Sequence, residues 1–478
     1  MKNFESITEL KKHFIGFKGL TLKKIYQNVQ AEYPQIVLNT NKGIVGQVLE
    51  STTGRAPNSN PNPDIGELGV ELKVLPVRRS GQELRPKERS KIKSINYNEI
   101  VNEIWSSSAV RAKIKLILFL VYEQPTGFSY RDWKSFVFKN ALLFDLKSEN
   151  EVVIENDWRK IKEVVASNTA HLLSEGDGNI LGACTSGSGR LKLYNGSHQA
   201  KERSYSFKHS YMKLFYREKT KLNSFSKLNN KTNLSSELFV VDELNKELGG
   251  KLLGDYTKQK GLEFNSSAKS SFKNLVNSVL KIPKNKEIYD LSIKNVVIKT
   301  VPVNKNNNPW EAMSFPKFSL LDLVYESWEG AEDKEECVFK SLISQSFVFI
   351  PVVKEKEDFI IDGKKTKKFK SWKTWRVGKV FMWKISPDDL NQVKKEWGLS
   401  KKIVTAGVKT KKVKYGLGWR QENNLIKQSN TKVIHIRPHA QNSKDLDVPF
   451  LNYSKIKISW QSFWLNKVFL KNILTLNN

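Results

Sequence analysis

The chain has 478 residues and a mass of 55.0 kDa, and its 80 Lys and Arg against 49 Asp and Glu give a formal charge of +31. Hydrophobic residues at 39% and aromatics at 11% suffice for two or three cored domains and exclude a disordered basic tail, so the basic excess is the footprint of a polyanionic partner. Only Cys184 and Cys337 are present, which excludes a disulfide framework and fits a reducing compartment.

The start, MKNFESITELKKHF, carries glutamates and no long apolar stretch, so it is not a secretory signal. No apolar run approaches membrane-spanning length, and the chain reads as soluble and cytoplasmic, with no membrane partner. GIVGQVLE at 43–50 has a helical pattern. The block PDIGELGVELKVLPV at 63–77 then leads into a strand. Alternation puts Glu71, Lys73 and Leu75 on one face of it, with Val70, Leu72 and Val74 on the other. Asp64 lies just upstream. Carboxylates gathered in this way are hard oxygen ligands for Mg²⁺, and a lysine beside them can hold a water for attack on a phosphodiester. The acid-x-lysine pair alone is weak, because it recurs at Glu9 and Lys11, Asp132 and Lys134, and Asp145 and Lys147. Those copies read as solvated surface, whereas the pair at Glu71 has apolar flanks.

Further along, LILFLVYE at 116–123 reads as a buried strand. The order of parts then repeats. NVVIKTVPV at 295–303 answers GVELKVLPV, SFVFIPVVKE at 346–355 answers LILFLVYE, and NLVNSVLK at 274–281 answers GIVGQVLE. FKHSYMKLFYR at 207–217 shares its aromatic-basic spacing with WQSFWLNKVFL at 460–470. The reading is a domain at 1–220, a polar linker at 221–236 and a second domain at 237–478. In the second copy Lys281 replaces Glu50, Val297 replaces Glu71 and Lys299 keeps the place of Lys73, with Asp290 where Asp64 stands. The lost acids imply that this copy is catalytically silent.

His435 and His439 do not read as a zinc pair, because Pro438 interrupts any helix through them and no cysteine pair is near. Cys184 has no nucleophile motif around it and reads as a small buried residue. GSGR at 187–190 lacks the lysine and serine of a nucleotide-binding loop and reads as a loop that contacts DNA. KSWKTWRVGKVFMWK at 370–384 reads as an aromatic strand core flanked by surface lysines.

GLTLKKI at 19–25, GIVGQVLE, PDIGELGVELKVLPV and SSAVRAKIKLILF at 107–119 together resemble the MutH-like endonucleases, and the two-half plan resembles their relatives among type II restriction enzymes that cleave at GATC. The resemblance implies an α/β PD-(D/E)xK restriction-endonuclease-like fold, duplicated as two MutH-like domains. It implies Asp64 and Glu71 as ligands of Mg²⁺, Lys73 beside the attacking water, Glu50 as an additional acid and Lys113 near the scissile phosphate. Tyr211 matches a tyrosine that reads the target adenine. The family's base-reading loop has the form IRPKAAN; the first half carries GACTSGSG at 182–189 in its place, putting Thr185 and Ser186 at the DNA, and the second half carries HIRPHAQNS at 435–443, with Arg437 suited to guanine. The implied partners are double-stranded DNA, a DNA methyltransferase, and a second copy of the chain meeting it on DNA through two sites. The alternatives are a strand-nicking repair endonuclease and a non-catalytic DNA-binding regulator.

Overall fold

The structure is a computed structural model and describes every residue except 58–61, 81–82, 126–127, 147–150, 175–177, 187–189, 221–223, 233–234, 269, 285, 330–334, 362–363, 416–417, 441, 443 and 478. The chain divides into two compact mixed α/β units, Met1–Leu222 with Glu329–Glu336, and Asn223–Trp328 with Cys337–Asn478.

The first unit opens with three helices, α1 (Ile7–Ile15), α2 (Leu22–Glu32) and α3 (Ile44–Ser51). Side-chain oxygens of Ser6 and Thr21 accept from the backbone N–H of Glu9 and Lys24 and so cap the first two. Their apolar stripes bury Leu10, Phe14, Leu22, Ile25, Val45, Val48 and Leu49. The strands β1 (Glu71–Ser80), β2 (Glu83–Pro86) and β3 (Ser90–Ser94) follow, then helices α4 (Tyr97–Ile100) and α5 (Ala109–Ile114) and strands β4 (Leu116–Glu123) and β5 (Val137–Asp145). The main sheet has the order β2-β1-β4-β5. β1 and β4 run parallel, from Glu71 opposite Ile117 to Val77 opposite Glu123, which their intervening crossover makes possible. The opening helices cover the side of Val70, Leu118 and Leu120.

Helix α6 (Glu151–Ala166), strand β6 (Leu181–Thr185), the hairpin β7 (Leu191–Tyr194) and β8 (His198–Lys201), strand β9 (Arg203–Phe207) and helix α7 (His209–Thr220) complete the unit. β3, β9 and β6 form a second sheet, with β9 central. The opposite side of the main sheet is closed as well: Phe119, the neighbour of Lys73, has its ring 5.4 Å from Phe215 of α7 and 6.4 Å from Phe207 of β9. The face that carries Glu71 and Lys73 is therefore walled by apolar side chains, and Leu75 and Val77 on it are buried.

In the second unit, helices Ser236–Leu248, Leu253–Gln259 and Ser271–Val279 pack on a sheet whose central strand is Ser346–Val353. Val296–Val303 pairs with that strand in parallel, while Arg376–Val377 and Phe381–Lys384 pair with it antiparallel. Gln461–Leu465 lies between Met313–Phe318 and Ile434–Pro438 in a three-stranded antiparallel sheet. Helices Pro387–Thr405 and Lys467–Leu476 contribute Val393, Trp397, Val404, Leu470 and Ile473 to the same core. Trp375 is buried and Trp372 and Trp383 half-buried, so the tryptophan-rich stretch is core with lysines at its surface.

Two details differ from the sequence reading. Phe225–Ser226, inside the expected linker, is a short strand paired with Glu287–Ile288, so part of that polar stretch is ordered against the second unit. FKHSYMKLFYR begins at the end of strand β9, whereas WQSFWLNKVFL begins just before strand Gln461–Leu465, so the matched aromatics occupy helix in one segment and largely strand in the other. Aromatic spacing alone does not distinguish those two settings. Among the described residues no helix is long and apolar enough to cross a membrane.

Candidate active site

A tight loop brings the acids together. Ile65 and Val70 exchange backbone hydrogen bonds of 2.9 and 3.1 Å around the turn Gly66–Leu68. Gly69 closes that turn at φ +63°, a conformation that favours glycine. The loop folds Asp64 back over the start of β1, where its Oδ2 accepts the Leu72 N–H at 2.7 Å. Glu71, the first residue of β1, is only 7% exposed. Lys73 donates from Nζ to Glu71 Oε1 at 3.3 Å, and Lys113 donates to Oε2 at 2.9 Å. Lys113 is delivered by α5, whose N-terminus is capped by Ser108 Oγ accepting from Arg111 N–H. The same ammonium also donates to the backbone carbonyl of Asn62 at 3.4 Å, which ties the acid loop to α5.

Glu50 enters from the last turn of α3. Its Oε1 is buried with no hydrogen-bond partner. Burial, then the neighbouring charges of Asp64 and Glu71, push the Glu50 carboxyl up to about 7, with Arg55 pulling the other way. Asp64 is likewise raised by burial and by Glu71, against the Leu72 N–H and the two lysines. The three acids thus share one field. Among the described residues no three His, Cys, Asp or Glu side chains converge closely enough to cage an ion. Both Glu71 oxygens are turned to lysines and one Asp64 oxygen to backbone, so the acids are coupled without forming a closed cage. An orphaned carboxylate oxygen and three mutually repelling acids are the donor set a hard divalent cation fits.

Arg55 was not anticipated from sequence. It is 8% exposed, donates to Glu67 at 2.6 Å and to the Lys2 carbonyl at 3.0 Å, and so ties the acid loop to the N-terminal segment. Nothing in the local pattern around it signals burial. His13 was also missed: its Nε2 lies 3.0 Å from Thr52 Oγ1 at the end of α3, among the rings of Phe4, Phe14 and Phe17.

The residues expected at the bases take different settings in the fold. Thr185 ends β6 and is half-buried. Ser186 is buried, accepting from Lys91 Nζ at 2.7 Å and from Ser204 Oγ at 3.0 Å. Residues 187–189 of GSGR lie outside the described residues. Tyr211 is 3% exposed, with its ring 5.5 Å from Phe207 and 6.4 Å from Phe215. Arg437 is exposed on strand Ile434–Pro438, its guanidinium 5.0 Å from the Trp464 ring centroid. His435 is buried against Asn466 Oδ1 at 2.6 Å, and His439 meets Ser462 Oγ at 2.6 Å, so each ring has a structural partner. Cys184 is buried and free.

In the second unit Lys299 is half-buried, and loss of hydration holds its ammonium below the usual lysine range. Asp290 Oδ2 accepts the Leu228 N–H at 2.8 Å and not the start of the neighbouring strand. Asn295 takes φ +56° immediately before Val296–Val303, as Gly69 does before Val70 and β1.

The family model for the DNA mismatch repair enzyme MutH matches residues 53–157, a span holding Asp64, Glu71, Lys73 and Lys113. The type II restriction enzyme Sau3AI of Staphylococcus aureus is 28% identical over 469 residues, covering 91% of this chain and 92% of that protein. The DNA mismatch repair protein MutH of Shewanella amazonensis is 27% identical over 37% of this chain and 76% of its own length. MutH of Actinobacillus pleuropneumoniae is 26% identical over 41% of this chain and 83% of its own length. With the mixed α/β architecture, these similarities give the first unit a restriction-endonuclease-like fold.

Proposed function

We propose that this chain, a MutH-like type II restriction endonuclease and therefore a site-specific deoxyribonuclease acting on DNA, hydrolyses double-stranded DNA at GATC in a Mg²⁺-dependent reaction, leaving 5′-phosphates and 3′-hydroxyls. The observation that carries the assignment is Glu71 held between Lys73 and Lys113 with Asp64 and the unpaired Glu50 in its field. Asp64 and Glu71 would hold the cation, with Glu50 supporting them. When bound, it supplies Lewis acidity and neutralises charge at the scissile phosphate. Lys73 orients the attacking water, and Lys113 leaves Glu71 to brace a phosphate oxygen. Base reading in the first unit is assigned to the edge at Thr185, backed from the core by Ser186 and Tyr211.

The second unit is a degenerate copy of the first, which makes domains of 1–220 and 237–478 around a linker. The same parallel strand pair, the same three-stranded second sheet and the same left-handed residue ahead of the acid strand support this reading. With Val297 and Lys281 where the first unit has Glu71 and Glu50, it cuts nothing. It binds a second GATC through Arg437, whose fork suits the acceptor edge of guanine, and that binding gates cleavage by the first unit. Two molecules meeting on DNA then supply the two cuts. A DNA methyltransferase in the same cytoplasm protects the host sites. The extent of the Sau3AI similarity, set beside MutH matches that cover roughly two fifths of the chain, favours restriction over strand-nicking repair.

The test is digestion of unmethylated plasmid with Mg²⁺ and with EDTA, by the native chain and by Glu71→Ala, with the ends sequenced. Metal-dependent double-strand ends at GATC, absent from the variant, support the reading. Nicks alone would favour the repair enzyme, and binding without cutting would sink the catalytic assignment. A plasmid with two sites is expected to be cut faster than one with a single site; equal rates at low enzyme concentration would remove the gating role.

A further inference from the structure

One exposed element of the second unit is unused by this reading. Between helix Pro387–Thr405 and strand Ile434–Pro438 a two-stranded hairpin leaves the core, Thr410–Tyr415 paired with Gly418–Asn423. The corresponding connection of the first unit, from α6 to β6, carries among its described residues only the short turn Ala170–Leu172.

The hairpin is rooted firmly. Val408, Leu425 and Ile426 at its base are buried in the core, and Lys409 N–H donates to Asn424 Oδ1 at 2.9 Å. Beyond that base it buries little. Trp419 is 72% exposed, whereas the other tryptophans are buried or half-buried. Lys414 is directly opposite Trp419, and Lys412 opposite Gln421 occupies the same face two residues along. Lys409, Lys411 and Arg420 add further charge, and Glu422 is the sole acid of the hairpin. That acid is already engaged by Arg420 and by Lys427, the latter at 3.6 Å.

An isolated two-stranded ribbon is marginal in water, and an exposed indole among lysines adds nothing to its packing. The combination does suit a nucleic-acid duplex, because the DNA major groove admits a two-stranded ribbon, ammoniums pair with phosphates, and an indole packs on sugar and base edges. We infer that the strand pair Thr410–Tyr415 and Gly418–Asn423 is a DNA-contacting arm, with Lys412 and Lys414 on backbone phosphates and Trp419 against the groove beside the site read by Arg437. This rests on the reading of the second unit as a DNA-binding unit and names the surface it uses. The arm touches backbone and groove, so it contributes affinity without sequence preference.

The test uses the full chain carrying Glu71→Ala, expected not to cut, in EDTA with a labelled duplex with or without GATC, titrated across a salt series. Lys412→Ala with Lys414→Ala is expected to reduce the slope of log affinity against log salt by about 2, at roughly 0.9 for each phosphate no longer neutralised. Trp419→Ala is expected to weaken binding about tenfold with the slope retained. Both losses should appear equally on the two duplexes. These side chains are exposed, and unchanged unfolding midpoints would confirm that the variants fold. Affinities within twofold of the parent, with the slope changed by less than about 0.5, would overturn the arm, as would losses seen only with anionic vesicles or single-stranded RNA. Arg437→Ala separates the two readings. If it abolishes the preference for GATC while the arm variants do nothing, the second unit binds DNA without this arm; if it too has no effect, the reading of the second unit itself fails.

Discussion

Lys113 Nζ donates to Glu71 Oε2 at 2.9 Å, so an ammonium from α5 holds one oxygen of the carboxylate at the head of β1. Lys73 engages the other oxygen from β1 itself. With both side chains part-buried, each lysine offsets charge that would otherwise stand unpaired at the site. Lys113→Met is expected to lower kcat by about 10²- to 10³-fold, because a preorganised cation at a developing phosphate charge is removed. DNA affinity should change only a few-fold, since many other basic residues supply it. Single-turnover cleavage beside equilibrium binding checks this; an equal loss in both would make Lys113 a binding residue only.

Lys73→Ala is expected to behave differently from Lys113→Ala when metal is varied. Lys73 is covalently fixed two residues from Glu71 and is assigned to the attacking water, so its loss should persist at saturating Mg²⁺. Loss of Lys113 unties the Asn62 carbonyl from α5 as well, so part of its defect should recover as metal rises and reorders the acid loop. Metal titrations of the cleavage rate for the two variants would show it. Identical curves would remove the separation of roles.

Glu50 links the acid cluster to stability. Its folded carboxyl holds a proton up to about 7, whereas in the unfolded chain the value is 4.5. The folded state therefore binds the extra proton between those values, and stability falls as pH rises through that window and stays lower above it. The side chain is only part-buried, so solvent screening reduces the effect to about 1 kcal/mol. In EDTA at pH 8, Glu50→Gln is expected to unfold at a higher temperature than the native chain. Mg²⁺ should raise the native midpoint more at pH 8 than at pH 6 and raise the variant's less. Parallel melting curves for the two proteins across pH would sink the assignment.

The strand at Glu71 was legible because alternation and apolar flanks set it apart from Glu9 and Lys11, which are exposed on α1, and from Asp132 and Lys134, which are exposed in the turn before β5; Lys147 lies outside the described residues. The parallel pairing of β1 with β4 was not, because register between distant strands leaves no local mark in either. Nor was the role of Asp157, since an acid on an amphipathic helix reads as surface. In the fold it is fully buried and accepts from the N–H groups of Asn179, Ile180 and Leu181. The setting of Tyr211 was not legible either: the packing of its ring among Phe207 and Phe215 depends on tertiary contacts that no residue pattern displays.

Asp157 has a counterpart in Glu396 of the second unit, whose carboxylate accepts from Lys432, Val433 and Ile434 at 2.6, 3.2 and 2.8 Å. Each acid lies on the long helix and fastens the beginning of a strand of the second sheet. Truncation would leave several buried N–H groups unpaired, so Asp157→Ala and Glu396→Ala are each expected to cost about 3 kcal/mol. Gly178 belongs to the same device, because a Cβ there would lie 1.7 Å from the Leu181 carbonyl oxygen. Urea unfolding of the three variants, Gly178→Ala included, tests this. Losses below about 1 kcal/mol for both acids would mean that water replaces the carboxylates at little cost.

The silence proposed for the second unit depends on several residues together. Val297 pairs with Phe347 as Glu71 pairs with Ile117, so Val297→Glu would return an acid to the head of the parallel strand, two residues from Lys299. Burial already holds the Lys299 ammonium below its usual range, and a carboxylate beside it would raise it again. The remaining partners would still be wrong. Lys281 stands in the sequence where Glu50 does, at φ +56° and outside the helix Ser271–Val279, and the Asp290 carboxylate is turned to the Leu228 N–H. One restored acid therefore leaves a cation without the other ligands it needs. In a chain already carrying Glu71→Ala, adding Val297→Glu is expected to yield no Mg²⁺-dependent cleavage of unmethylated plasmid. Cutting by that double variant would show that a single acid suffices, and would remove the reason for calling the second unit silent.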